Sequence, residues 1–293
     1  MKLHSFVLAL CFTALVVNRT VAQTQTSAPE VRVLSDLAYK SGDALTDYER
    51  TRCKLDVYLP PSGKDFPTLV WFHGGGLKSG DKAGTKDDNA KTPAIARSFA
   101  RAGIAVVAAN YRLSPKATYP AYVQDAAAAV AWAAKQMPAH GADATKLFVS
   151  GHSAGGYLTL MLGMDERYLR DAGVKLADIA GFIPVSGQAM THYTIREERG
   201  LSRNTVTADE AAPVYFIRKE TPPFLVLYAD HDMAARAEEN MYFVAMMQGA
   251  GNKAVTGKLI TDRTHGSIAA KLADADDPAR AAMIEFIRAN RSK

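Results

Sequence analysis

Short apolar runs recur along the chain, each bounded by polar or glycine-rich residues. They alternate with longer segments in which apolar positions return every three to four residues. The runs predict strands at 31–34, 53–59, 68–72, 104–110, 147–150, 179–185, 224–229 and 258–261. The longer period predicts helices at 93–102, 122–137, 153–162, 234–248 and 278–290. Runs such as VAAN, LFVS and FLVLYA have almost no polar interruption, which suits strands covered on both faces. Early strands come without helices and are followed by strict alternation. The expectation is an α/β fold with a mostly parallel central sheet of about eight strands and helices on both faces. Residues 187–222 fit neither period and fall between two strands, so they read as a small lid or an insertion. Met241, Tyr242, Phe243, Met246 and Met247 share a predicted helix, where core packing is the default.

Composition changes this picture little. The 293 residues suit one large domain, and 48% hydrophobic residues supply a sizeable core. The formal charge of +5 is modest, and no Lys/Arg cluster of the nucleic-acid-binding kind occurs. The N-terminus is more informative. Lys2 and His4 precede the run Phe6 to Val17, apolar but for Thr13, and Thr20-Val21-Ala22 offers small residues before Gln23. That order predicts a cleaved signal peptide over 1–22, a mature domain over 23–293, and a secreted or periplasmic protein. The run is too short for a span of about 20 residues, so no stable membrane span is expected after cleavage. Cys53 is then the single remaining cysteine, which excludes an intrachain disulfide and suits a small buried residue.

Two glycine patterns carry chemistry. Gly151-His152-Ser153-Ala154-Gly155 follows a strand and opens a helix, the context in which Gly-x-Ser-x-Gly turns sharply and presents a serine hydroxyl. Glycine is needed where backbones approach too closely for a Cβ. His73-Gly74-Gly75-Gly76 directly follows the strand at 68–72. A glycine run lets backbone N–H groups approach an oxyanion, and HGGGLKSG lacks the spacing of a phosphate-binding loop.

These motifs resemble the α/β-hydrolase superfamily, in particular the esterase branch related to hormone-sensitive lipase and bacterial feruloyl-type esterases. The resemblance runs in order through Trp71 to Gly76, Gly80-Asp81-Lys82, Asn110 to Pro115, Pro120-Ala121, Asp125, Trp132 and Gly151 to Gly156. It implies an α/β-hydrolase fold, Ser153 as nucleophile, and oxyanion-binding amides from Gly75, Gly76 and Ala154. The family's chain order of Ser, then Asp/Glu, then His points to His265 as the base, since it follows the last strand and precedes the final helix. The pattern places the acid on Asp232, with Asp230 as the fallback that would brace the turn. Two departures stand here: Ala229 replaces a usual glycine, and Ala235 a usual valine.

Tyr111 and Arg112 read as braces for neighbouring loops, and His152 as a packing or hydrogen-bonding residue beside the turn. Asp87-Asp88 has no His/Cys/carboxylate company that would make a metal site, and no cofactor is implied. The expected reaction is acyl transfer to water on short-chain or carbohydrate-linked carboxylic esters. The rival on the same residues is an amidase or formamidase, and the rival from another class is a catalytically inactive binding protein. The sequence carries no reading of oligomeric state.

Overall fold

The computed structural model describes residue 1, residues 30–84 and residues 91–292. All of the expected leader but its first residue lies outside these residues, as do Asp87 and Asp88. The strands are β1 (Arg32–Ala38), β2 (Lys54–Leu59), β3 (Phe66–Phe72), β4 (Ala105–Ala109), β5 (Ala142–His152), β6 (Gly181–Val185), β7 (Phe224–His231) and β8 (Val255–Thr264). They form one sheet in the order β1-β2-β4-β3-β5-β6-β7-β8. The first two pairings, β1 with β2 and β2 with β4, are antiparallel, and the remaining five are parallel.

The helices are α1 (Asp47–Arg52), α2 (Thr92–Arg101), α3 (Ala121–Gln136), α4 (Ala154–Met164), α5 (Glu166–Asp171), α6 (Tyr193–Glu198), α7 (Arg236–Gly249), α8 (His265–Ala270) and α9 (Pro278–Ala289). Alternate residues of β3 serve opposite faces. Val70 and Phe72 join the core with α3, α4 and α7, whereas Leu69 and Trp71 join the core with α2, α8 and α9. Burial on both sides explains why such strands read as unbroken apolar runs. Parallel pairing collects the C-terminal ends of β3, β5, β6, β7 and β8 along one edge, where binding residues gather in open parallel sheets.

The structure departs from the sequence reading where elements are short. Helices α1, α5, α6 and α8 have six residues each, too few for a 3.6-residue period to be visible. Within 187–222, α6 is anchored: Thr194 Oγ1 donates to the Gly76 carbonyl at 2.5 Å and Lys78 pairs with Glu197 at 2.5 Å. The core assignment on α7 is corrected. Phe243 and Met247 are buried, but Met241, Tyr242 and Met246 lie on the outer face and are exposed. Cys53 sits at the C-terminal end of α1, just before β2, and is buried.

Helix α4 is buried along its whole length, and glycine permits that approach. A Cβ on Gly155 would lie 2.0 Å from the Phe72 carbonyl oxygen, and one on Gly151 would lie 2.6 Å from Gly155. Both obstacles are backbone and cannot swing aside. Gly155→Ala is therefore expected to cost about 3 kcal/mol or more of stability, read as a large fall in the urea midpoint. An unchanged midpoint would contradict this packing.

Candidate active site

Ser153 occupies the turn between β5 and α4 with φ 57° and ψ −112°, a strained backbone for a residue with a side chain. The turn is held by Ser153 N donating to Val185 O and Tyr157 N donating to Ser153 O, both at 2.9 Å. The predicted helix at 153–162 thus starts one residue later, leaving Ser153 outside the helix. His265 is the first residue of α8, whose start is fixed by a reciprocal Thr264–Ser267 capping pair. Asp232 lies in the turn after β7.

These three side chains form one hydrogen-bonded series. His265 Nε2 is 2.9 Å from Ser153 Oγ, and His265 Nδ1 is 2.5 Å from Asp232 Oδ1. A carboxylate can only accept, so Nδ1 carries the proton and Nε2 is left to accept from the serine hydroxyl. Burial pushes the Asp232 carboxyl up, but hydrogen bonds from His265, Ser186 and the Met233 amide outweigh it and hold the group below its ordinary value. Asp230 is placed elsewhere. Its oxygens accept from the amides of Asp262 and Arg263 at 2.8 and 2.9 Å, tying β7 to β8. Those amides, the Arg263 one foremost, hold its carboxyl below the ordinary carboxylate range.

The loop after β3 runs beside Ser153, since a Cβ on Gly74 would lie 3.4 Å from the serine Cβ. Gly75 and Gly76 have φ of 105° and 63°, and the amides of Gly75, Gly76 and Ala154 have no acceptor among the described residues. Arg52 at the end of α1 braces this loop. It donates to Gly80 O at 2.6 Å, to Tyr111 O at 2.9 Å and to Asp81 at 2.7 Å, and lies 3.0 Å from His73 Nε2. Tyr111 stacks on His73 with centroids 4.5 Å apart and donates its hydroxyl to His73 O at 2.8 Å. Arg112 instead grips buried Asp125 at the start of α3.

Several neighbours were not legible. Ser186, left-handed at φ 48° after β6, donates Oγ to Asp232 Oδ2 at 2.5 Å. Arg236 in turn donates to Ser186 O at 2.8 Å. His152 is buried, and its Nε2 lies 2.7 Å from the His265 carbonyl oxygen, so the residue beside the serine helps hold the histidine's backbone.

His73 and His152 have consequences for stability. Burial, then the Arg52 charge, pushes His73 down to about 4, and burial, then His265, pushes His152 down to about 3. Both fold as neutral rings, whereas an unfolded histidine binds a proton near pH 6.5. The stabilisation is complete above about pH 7 and falls as pH drops from about 6.5 toward about 4. Each ring then costs up to about 1.4 kcal/mol per pH unit. Urea midpoints measured from pH 8 to pH 4 should be flat and then descend; a flat profile throughout would contradict neutral burial.

A family model described as BD-FAE matches residues 55–174. Among curated proteins, the esterase LipI of Mycobacterium tuberculosis is 36% identical over 114 residues, 38% of this chain and 34% of the relative. The carboxylesterase NlhH of the same species is 31% identical over 198 residues, 65% of this chain and 54% of the relative. The chain thus spans from a third to about half the length of these relatives. A truncated carbohydrate esterase from gut microbiota superposes with a TM-score of 0.70 at 18% identity, covering 90% of this chain and 97% of that one. An esterase of the archaeon Pyrobaculum calidifontis gives 0.61 at 23% identity, covering 80% of each.

Proposed function

We propose that this chain, which has an α/β-hydrolase fold and resembles curated esterases over part of their length, is a serine carboxylesterase working through an acyl-enzyme. The observation that carries the reading is the unbroken series Ser153–His265–Asp232 beside a glycine loop with unengaged amides. In this mechanism His265 takes the Ser153 proton as Oγ attacks the ester carbonyl, and Asp232 holds the ring and balances its charge. The amides of Gly75, Gly76 and Ala154 receive the oxyanion. His265 then gives its proton to the departing alcohol. Water, deprotonated by the same ring, cleaves the acyl-Ser153 ester and regenerates the hydroxyl.

The substrates we propose are small-molecule or carbohydrate-linked esters with short acyl groups. The exported location follows from the N-terminal pattern and is tested by sequencing protein from the medium or periplasm, which should begin at Gln23. The substrate reading is tested with p-nitrophenyl esters of increasing acyl length, feruloyl esters, acetylated xylan, and amides matched in acyl group. Turnover should be highest on short acyl or carbohydrate esters and far slower on the amides. Faster cleavage of the matched amides would make the protein an amidase instead.

Ser186 acts on the reaction through Asp232. A hydrogen bond to a charged group is worth about 1.5–3 kcal/mol, so Ser186→Ala should lower kcat roughly tenfold or more with little change in KM. An unchanged kcat would reduce Ser186 to a packing residue.

A further inference from the structure

The segment after β6, with Arg196 and Arg203, and the start of α7, with Arg236, place three arginines around buried His192, near the glycine loop. Arg196 and Arg236 are buried, while Arg203 is exposed. Arg196 donates to Thr191 O and Arg203 O, each at 2.7 Å, and Arg236 donates to Ser186 O at 2.8 Å. The Arg203 guanidinium lies over the Tyr193 ring, 4.5 Å from its centroid. None of the three forms an ion pair among the described residues.

The acids nearby are already engaged. Asp232 serves His265, Glu197 holds Lys78, and Asp209 and Glu210 hold Arg199. Glu239 gives Arg196 and Arg236 a distant favourable field. Its oxygens accept from the Ala189 and Met190 amides and the Gln188 side chain. The positive fields meet at buried His192, which burial first, then Arg236, Arg196, Lys78 and Arg203, push well below the ordinary histidine range. Adjacent Tyr193 reaches the site itself, since a Cβ on Gly76 would meet its hydroxyl at 2.0 Å.

Buried cations are ordinarily paired. Here the positive charge stands near the loop that would hold the oxyanion, and among the described residues no carboxylate forms an ion pair with it. An arginine held over a tyrosine ring can present its N–H edge for bidentate contact with a planar anion. We propose that Arg203 and Tyr193, beside Gly76, form a subsite for the unreacting part of an ester that carries a carboxylate. Arg203 binds that carboxylate, and Arg196 and Arg236 supply the field behind it. The inference rests on the esterase reading and names the class of ester within it.

The test uses the full-length protein and two matched ester pairs. In 4-acetoxybenzoate against 4-acetoxybenzamide the charge is on the alcohol side, and in monomethyl succinate against methyl succinamate it is on the acyl side. Values of kcat/KM are divided by each ester's alkaline hydrolysis rate. The charged member of one pair should be preferred about fivefold or more at low salt, and that pair identifies the side. The preference should collapse in about 0.5 M NaCl and in Arg203→Gln, and be retained only in part in Arg203→Lys, which keeps the charge and loses the bidentate fork. Neutral esters turned over without any such preference, or a preference untouched by Arg203→Gln, would overturn the subsite. Loss of turnover on all four esters would overturn the esterase reading, and the subsite with it.

Discussion

Replacing Ser153 by alanine is expected to lower kcat on a short-chain p-nitrophenyl ester by on the order of 10,000-fold or more. The serine oxygen is the atom that bonds to the acyl carbon, so its removal deletes the covalent step and leaves only the general polarity of the site. The fold should be indifferent to the change. The turn is held by Ser153 backbone bonds to Val185 and Tyr157, not by the hydroxyl. Alanine meets the same strain at φ 57° that serine already bears. An inactive variant with an unchanged urea midpoint is the expected pair of results. Near wild-type turnover would mean that the hydroxyl plays no covalent part.

The second large effect separates two carboxylates that stand two residues apart. Asp232→Asn should lower kcat by roughly 1,000-fold to 10,000-fold. An amide presented to Nδ1 favours the wrong ring tautomer, leaving Nε2 protonated and unable to accept from Ser153. Asp230→Asn replaces one of the two oxygens that accept from the Asp262 and Arg263 amides of β8 with an NH2 donor. It should lower thermal stability and leave kcat within about threefold of wild type, a small change beside that of a triad member. If Asp230→Asn proved the inactive variant, the geometry assigned to His265 would be wrong.

Much of this arrangement is legible in the sequence alone. Ser153 and the 73–76 loop each announce themselves by glycines, because a backbone that must pass within van der Waals reach of Phe72 or Ser79 tolerates no Cβ. The inner strands were legible because burial on both faces leaves little room for polar residues. Asp232 was harder, because Asp230 stands only two residues before it, at the end of β7. What separates them is direction: Asp230 faces the β8 amides, whereas Asp232 faces His265.

Ser186 left no trace in the sequence. It meets Asp232 only because parallel pairing of β6 with β7, with Val185 opposite Leu227, brings two loops from distant parts of the chain together. The same holds for α6. Six residues give no period, and its placement depends on Thr194 reaching Gly76 across the sheet edge. His152 is an intermediate case. Its neighbourhood to Ser153 was plain, but its contact with the His265 carbonyl follows from the buried turn and not from the motif.

The most direct test of the account is covalent capture. The protein is incubated with a p-nitrophenyl alkylphosphonate, whose phosphorus is attacked as an ester carbonyl would be, and the digested product is sequenced by mass spectrometry. One equivalent of p-nitrophenol should be released per chain, with the phosphonyl group on the peptide containing Ser153 and none on Ser153→Ala. An enzyme that keeps hydrolysing esters after the reagent is consumed, or an adduct on another residue that accompanies loss of activity, would contradict Ser153 as the nucleophile.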